Sequence, residues 1–149
     1  VSHAAVAVAA AVAPDLDLLL RYVDGRNHHQ AESHSIAVAL VAGVLVALGA
    51  RAAGSAHALG LGVVAALGWG SHLLLDYLGR DTHPPIGLPL LWPLDGRYFK
   101  FPWPLFLDIG RTLSWQTVRH NALAGAWELV LMVPILVAAW WWRLRRREG

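Results

Sequence analysis

Residues 122–142 read ALAGAWELVLMVPILVAAWWW and run directly into RLRRR at 143–147. Only Glu128 and Pro134 interrupt the apolar run. At about 1.5 Å per helical residue, its 21 residues reach across a hydrocarbon core of roughly 30 Å. Trp140, Trp141 and Trp142, followed by arginines, supply what the end of such a span needs: interfacial rings, then cations that snorkel into water. The stretch reads as a transmembrane helix.

The composition agrees. Of 149 residues, 56% are hydrophobic and 15% charged, against about 45–50% apolar (Gly included) and about 25% charged in a typical soluble chain. The length allows one domain, and the balance excludes a disordered chain or a nucleic-acid-binding tail. Net charge is only +2, and Arg143, Arg145, Arg146 and Arg147 sit together as a membrane flank, so no nucleic acid is expected as a direct partner. With no Cys there is no disulfide scaffold, thiolate metal site or Cys nucleophile. Any metal must be held by His and carboxylate.

Two further apolar segments, 35–50 and 56–78, are joined by a short turn containing Arg51, Gly54 and Ser55, and read as a helical hairpin. Residues 4–13 are rich in Ala and Val but stop at Pro14, which predicts a short span or a buried half-helix. They lack the basic start of a secretory signal. The expected fold is therefore all-α, an integral membrane bundle of three to four transmembrane helices. Segment 79–121 holds six of the eight prolines and many aromatics, including Trp92, Tyr98, Phe99, Phe101, Trp103 and Trp115. It reads as a Pro/aromatic-rich interfacial loop, serving as a cap on the bundle or as a lipid contact. If the terminal arginines are cytoplasmic, this loop and residues 14–34 lie outside and the Arg51 turn inside. The loop's own Arg80, Arg97, Lys100, Arg111 and Arg119 oppose that sign, but the two outer segments share one face under either orientation.

Ionisable groups near a membrane need a partner or a task. His72 and Asp76 stand four apart on one helical face, while Ala58, Gly62, Ala66 and Gly70 form a separate stripe suited to close packing. Taken alone, His72 and Asp76 are a hydrogen-bonded pair. Asp15 and Asp17 after Pro14 suit helix capping, and the run Asn27, His28, His29, Gln30, Ala31, Glu32, Ser33, His34 suits a solvated loop. Their convergence changes the reading, because that run ends where the second span starts and the hairpin returns His72 and Asp76 to the same face. Together they form an N/O ligand set suited to zinc and also able to take manganese or iron.

The strings Ala13-Pro14-Asp15-Leu16-Asp17, His29-Gln30-Ala31-Glu32-Ser33-His34-Ser35 and His72-Leu73-Leu74-Leu75-Asp76, then Leu91-Trp92-Pro93, resemble the membrane-bound metal-dependent hydrolase family. That family is also described as LexA-binding, inner-membrane-associated hydrolases. The resemblance covers the chain to about residue 100, and its specificity lies in the combined order and spacing. The family pattern is Pro-Asp-x-Asp, His-Arg-Gly-x-Thr-His-Ser, His-x-x-x-Asp and Trp-Pro, with an early His that His3 matches. Gln30, Ala31 and Ser33 depart from it, and Gln30 cannot supply the charge of an Arg. A more distant likeness is to zinc-dependent phospholipase C and the related single-strand nucleases.

The resemblance implies a prokaryotic inner-membrane protein with Asp15, Asp17, His29, His34, His72, Asp76 and, if the first helix tucks beside the site, His3 as metal ligands. It implies water activated by a divalent metal, with Asp17 or Glu32 as general base, and a lipid or phosphoester substrate met at the membrane surface. The rival readings are a non-catalytic membrane protein with a structural metal and a protein partner, and a metal or proton transporter. The transporter is disfavoured because the charges gather at one face. Of the other polar residues, Glu128 lies inside the last span and needs a partner, the site or His120; His57 is structural, and Asp81, His83 and Asp95 are candidates for the mouth of the site.

Overall fold

The computed structural model describes residues 2–26, 28–82 and 84–148. Among them the elements are α1 (His3–Val12), a 3-10 helix (Ala13–Leu20), α2 (Arg21–Asp24), a 3-10 turn (Glu32–His34), α3 (Ile36–Ala52), α4 (Ala58–Leu78) and α5 (Trp115–Glu148). There is no strand among the described residues, only two isolated bridges. The all-helical expectation holds.

Pro14 does not end the first helical path. It occupies the first turn of the 3-10 helix, where its missing N–H leaves no bond unmade, and the chain continues through α2 to Gly25, whose φ of 73° closes the helix. Residues His3–Asp24 thus form a 22-residue path that, with Ala58–Leu78 and Trp115–Arg146, is long and apolar enough to cross a membrane. The segment expected at 35–50 is α3, and at 17 residues it is the shorter apolar helix. The expected short and full spans have exchanged places. At the far end, α5 begins at Trp115, so the irregular segment is 79–114.

Small residues bring the helices close. A Cβ on Gly62 would lie 2.6 Å from the Gly43 carbonyl oxygen and 2.7 Å from Ala47 Cβ, and one on Gly43 would meet Ala66 Cβ at 2.8 Å. α3 and α4 therefore pack backbone to backbone as an antiparallel hairpin. α1 runs parallel to α4 on another face, where a Cβ on Gly68 would come 2.7 Å from the Ala7 carbonyl oxygen. Of the expected stripe, Gly62 and Ala66 meet α3 while Gly70 has nothing within 4 Å; Gly68, outside the stripe, meets α1. Gly62→Val is expected to destabilise the hairpin by about 1–3 kcal/mol or more, as overpacking does. A lowered thermal midpoint in detergent, with Gly70→Val unchanged, checks this.

Outward-facing Leu40, Leu45, Leu59, Leu67, Leu129 and Val130 are each more than half exposed, a surface suited to lipid. The irregular segment closes one end of the bundle. Its two bridges pair Gly79 with Phe106 and Leu88 with Phe99, and Leu88 is buried. Gly87, at φ 95°, lets the chain pass where a Cβ would lie 2.5 Å from the Phe99 carbonyl oxygen. At the exposed tip Arg97 sits 2.6 Å from Asp95 and holds its carboxyl below the usual carboxylate range. The Leu90 carbonyl accepts the Ile36 N–H at 3.0 Å, so the turn carrying Trp92 and Pro93 holds the start of α3.

α5 is anchored near its beginning. Trp127 Nε1 donates to the Leu105 carbonyl at 2.8 Å, and the Leu105 N–H donates to the Leu78 carbonyl at 2.8 Å. Glu128 therefore lies at the level where α4 ends. Asn121 exchanges hydrogen bonds with the Gly110 backbone, and His120 bonds the Asp108 carbonyl. At the other end of α5, Arg145 and Arg146 stack on Trp141 and Trp142 at 3.8 and 4.1 Å, the arrangement expected of a flanking belt.

Candidate metal centre

Four elements meet at the end of the bundle away from the Arg51 turn. The 3-10 helix after α1 brings Asp15 and Asp17, the turn before α3 brings His34, and the last turns of α4 bring His72 and Asp76. His29 arrives from the loop between. His34 is completely buried, and Ser35 behind it caps α3 by accepting the Val38 N–H, an arrangement worth about 1 kcal/mol.

Both key imidazoles are held from behind through Nδ1. His72 Nδ1 is 2.8 Å from the Ala11 carbonyl, which can only accept, so Nδ1 carries a hydrogen and, in the neutral ring, Nε2 presents a lone pair. His34 Nδ1 lies 3.2 Å from Asp17 Oδ2 and 2.9 Å from Ser33 Oγ, while Ser33 donates to Asp17 at 2.7 Å. His34 Nε2 is thereby also turned forward. This backing by a carbonyl or carboxylate is how metal-ligating histidines are oriented.

The forward atoms converge without bonding one another. His34 Nε2 is 3.8 Å from Asp15 Oδ1 and 3.4 Å from Asp76 Oδ2, and His72 Nε2 is 3.5 and 3.2 Å from the same two oxygens. Both Nε2 atoms are nevertheless buried without a hydrogen-bond partner. Buried polar atoms are rarely left so. Lone pairs facing carboxylates repel unless a cation or a second ring proton stands between them, and the four His–Asp separations are close to those around a bound cation. For zinc bonds of about 2.0–2.2 Å, tetrahedral ligands lie about 3.3–3.6 Å apart. Among the described residues two groups could hold a metal ion, Asp15–His29–His34 and His34–His72–Asp76, and they share His34.

The expected ligands are therefore sorted by the fold. Asp15, His34, His72 and Asp76 converge, and His29 adjoins them with Nδ1 3.7 Å from Asp15. Asp17, read as ligand or general base, stands behind His34 and His29 and is buried. Glu32, read as a general base, is exposed and makes no hydrogen bond or ion pair to the described residues. His3 is not at the centre. Ten residues of straight helix carry it to the opposite end of α1, about 15 Å away, where its ring lies 6.1 Å from that of His57. His83 and Asn27 lie outside the described residues, and Asp95 pairs with Arg97 instead.

Sequence reasoning missed three supports. Ser33 bridges Asp17 and His34, the Ala11 carbonyl fixes His72, and Trp69 Nε1 donates to the Ser33 carbonyl at 2.9 Å, tying the His34 turn to α4. Ser33 sits inside a quoted motif, but nothing in sequence marks a carbonyl or a tryptophan 36 residues away. Trp69→Phe is expected to cost about 0.5–1.5 kcal/mol through that lost bond, read as a lowered thermal midpoint.

Beside the centre, Asp76 also borders a cleft of about 280 Å³ between the end of α4, the irregular segment and α5. Gln30, in the left-handed region at φ 59°, lines it too. The fold and centre together define a helical membrane protein with a buried His/Asp cluster able to hold a metal. The chain belongs to the YdjM inner membrane protein family, whose model matches residues 2–146. No curated protein and no solved structure matches it.

Proposed function

We propose that this inner-membrane protein is a divalent-metal-dependent hydrolase acting at the membrane surface on a lipid or other phosphoester. The observation that carries the reading is the pair of buried, unbonded Nε2 atoms of His34 and His72 facing Asp15 and Asp76. This donor set fits zinc, with manganese or iron as other occupants. A bound divalent metal lowers the pKa of water to about 7 and stabilises charge on phosphoryl oxygens.

The chain's own residues supply the rest. His34 and His72 are fixed through Nδ1, so the ligand cage is preorganised. The imidazole side is dry while Asp15 and Asp76 keep 41% and 27% of their side chains exposed, which leaves the carboxylate side open to water and substrate. His29, 3.7 Å from Asp15 and 3.4 Å from Asp17, is the group best placed to take a proton, a role that passes from Asp17 and Glu32 to it on geometry. With the arginine-flanked end of α5 taken as cytoplasmic and the centre on the other side, the positive-inside rule favours the outer face for the centre.

A second reading has its own observation. The His34–His72–Asp76 group, with Asp15 beside it, also suits a closed structural site, in a non-catalytic membrane protein acting through a protein partner. Purified protein in detergent, assayed with bis(p-nitrophenyl) phosphate and with phospholipid micelles, separates the two. Hydrolysis that stops with chelator, returns with zinc, manganese or iron and is lost in His72→Ala supports the enzyme. Metal-loaded protein that hydrolyses neither, yet unfolds when chelated, contradicts it and supports the structural site.

A further inference from the structure

The cleft beside Asp76 brings together charges that the rest of the molecule leaves unanswered. Five groups on its wall besides Asp76 are acidic or basic: Arg80, Asp81, Asp108 and Arg111 from the irregular segment, and Glu128 on α5. Asp108 is satisfied, accepting from Thr82 at 3.3 Å with His120 Nε2 3.3 Å away. Asp81, also on the wall, accepts the Gly87 N–H at 2.8 Å. Among the described residues, Arg80, Arg111 and Glu128 have no ion-pair partner. Glu128 is the costliest of the three, because it belongs to a helix apolar enough to span a membrane.

With Asp76, Asp81 and Asp108 engaged by protein groups, the charges left without a partner on this wall are two guanidiniums and one carboxylate, which match a group that carries a phosphate and, a few atoms away, an ammonium. Arginine suits the phosphate through its forked donors, and a carboxylate suits the ammonium. At about 280 Å³ the cleft is at the small end of ligand sites, room for a headgroup and not for acyl chains. Gln30, on the same wall, adds a neutral amide and no competing charge. The location agrees, since Trp127 and Leu105 set Glu128 level with the end of α4.

We propose that this cleft is a recognition site for a zwitterionic amine-bearing phosphoester headgroup, with Arg80 and Arg111 holding the phosphate and Glu128 the ammonium. The assignment deepens the hydrolase reading and rests on it for the phosphate's position beside Asp76. Arg80, Arg111 and Glu128 determine specificity and are not ligands of the centre.

The test is binding, measured by native mass spectrometry on the detergent-purified, zinc-loaded chain. The probes are sn-glycero-3-phosphoethanolamine, sn-glycero-3-phosphoglycerol and diacyl phosphatidylethanolamine. The ethanolamine headgroup is expected to bind about tenfold more tightly than the glycerol one. Glu128→Gln should erase that preference while keeping phosphate binding, and the Arg80→Gln, Arg111→Gln pair should weaken both headgroups about tenfold or more. Tighter binding of the diacyl form than of the free headgroup marks a membrane lipid as the source, and equal binding marks a soluble phosphoester. Equal affinity for the two headgroups, or arginine variants that bind like wild type, overturns the proposal. Zinc content is measured on the same samples: lost discrimination with metal retained refutes the cleft assignment alone, and discrimination without metal refutes the hydrolase centre alone.

Discussion

Replacing His34 with alanine is expected to empty the metal centre, taking metal content from about one ion per chain to background. His34 is completely buried, and it is the residue both candidate triads share. Removing it leaves Asp15 and Asp76 facing His72 with one imidazole fewer. A folding penalty accompanies the loss. A ligand present at about 1,000 times its dissociation constant stabilises a protein by about 4 kcal/mol, and that contribution disappears with the site. Elemental mass spectrometry of the purified variant, beside its thermal midpoint with and without added zinc, checks both parts. Zinc should raise the midpoint of wild type and leave His34→Ala unmoved. Wild-type metal content in the variant would show that His34 is a structural histidine.

Asp17→Asn is expected to weaken metal binding by about 10–100-fold without abolishing it, the usual effect of removing a carboxylate that backs a ligating histidine. Asp17 accepts from Ser33 and lies 3.2 Å from His34 Nδ1 and 3.4 Å from His29 Nδ1, so one buried carboxylate orients two imidazoles. The asparagine keeps the volume but loses the charge, and its amide nitrogen offers a donor where the ring nitrogens need an acceptor. Competition with a chelator of known affinity measures the shift. A complete loss of metal, equal to that of His34→Ala, would instead make Asp17 a direct ligand, as the sequence alone allowed.

The helices and the convergence of the site were legible in sequence, because both follow from periodicity and from which motifs a hairpin returns to one face. The span at 56–78 and the apolar end of the chain were visible from length and composition alone. Pro14 misled because a proline at a helix start and a proline that ends a helix look the same in sequence. The first path continues as a 3-10 helix, and Asp15 and Asp17 point inward from it. The division between Asp15, which converges with His34 and His72, and Asp17, which stands behind them, was not legible. It depends on which way a tight turn faces each carboxylate, and two residues of the same type give no sign of that. His3 matched a motif position and still fell at the wrong end of a straight helix, where rise per residue decides. The cleft was hidden for another reason: Arg80, Arg111 and Glu128 are far apart in sequence and line one cleft because Trp127, Asn121 and His120 tie α5 to the irregular segment.

The most direct measurement is metal content with X-ray absorption at the metal edge on wild-type protein purified in detergent and loaded with zinc. The structure predicts about one tightly held ion per chain in a shell of nitrogen and oxygen only, with two imidazoles in the scattering. No ion retained after incubation with zinc, manganese and iron would contradict a metal centre and leave His34, His72, Asp15 and Asp76 as a buried hydrogen-bonded cluster.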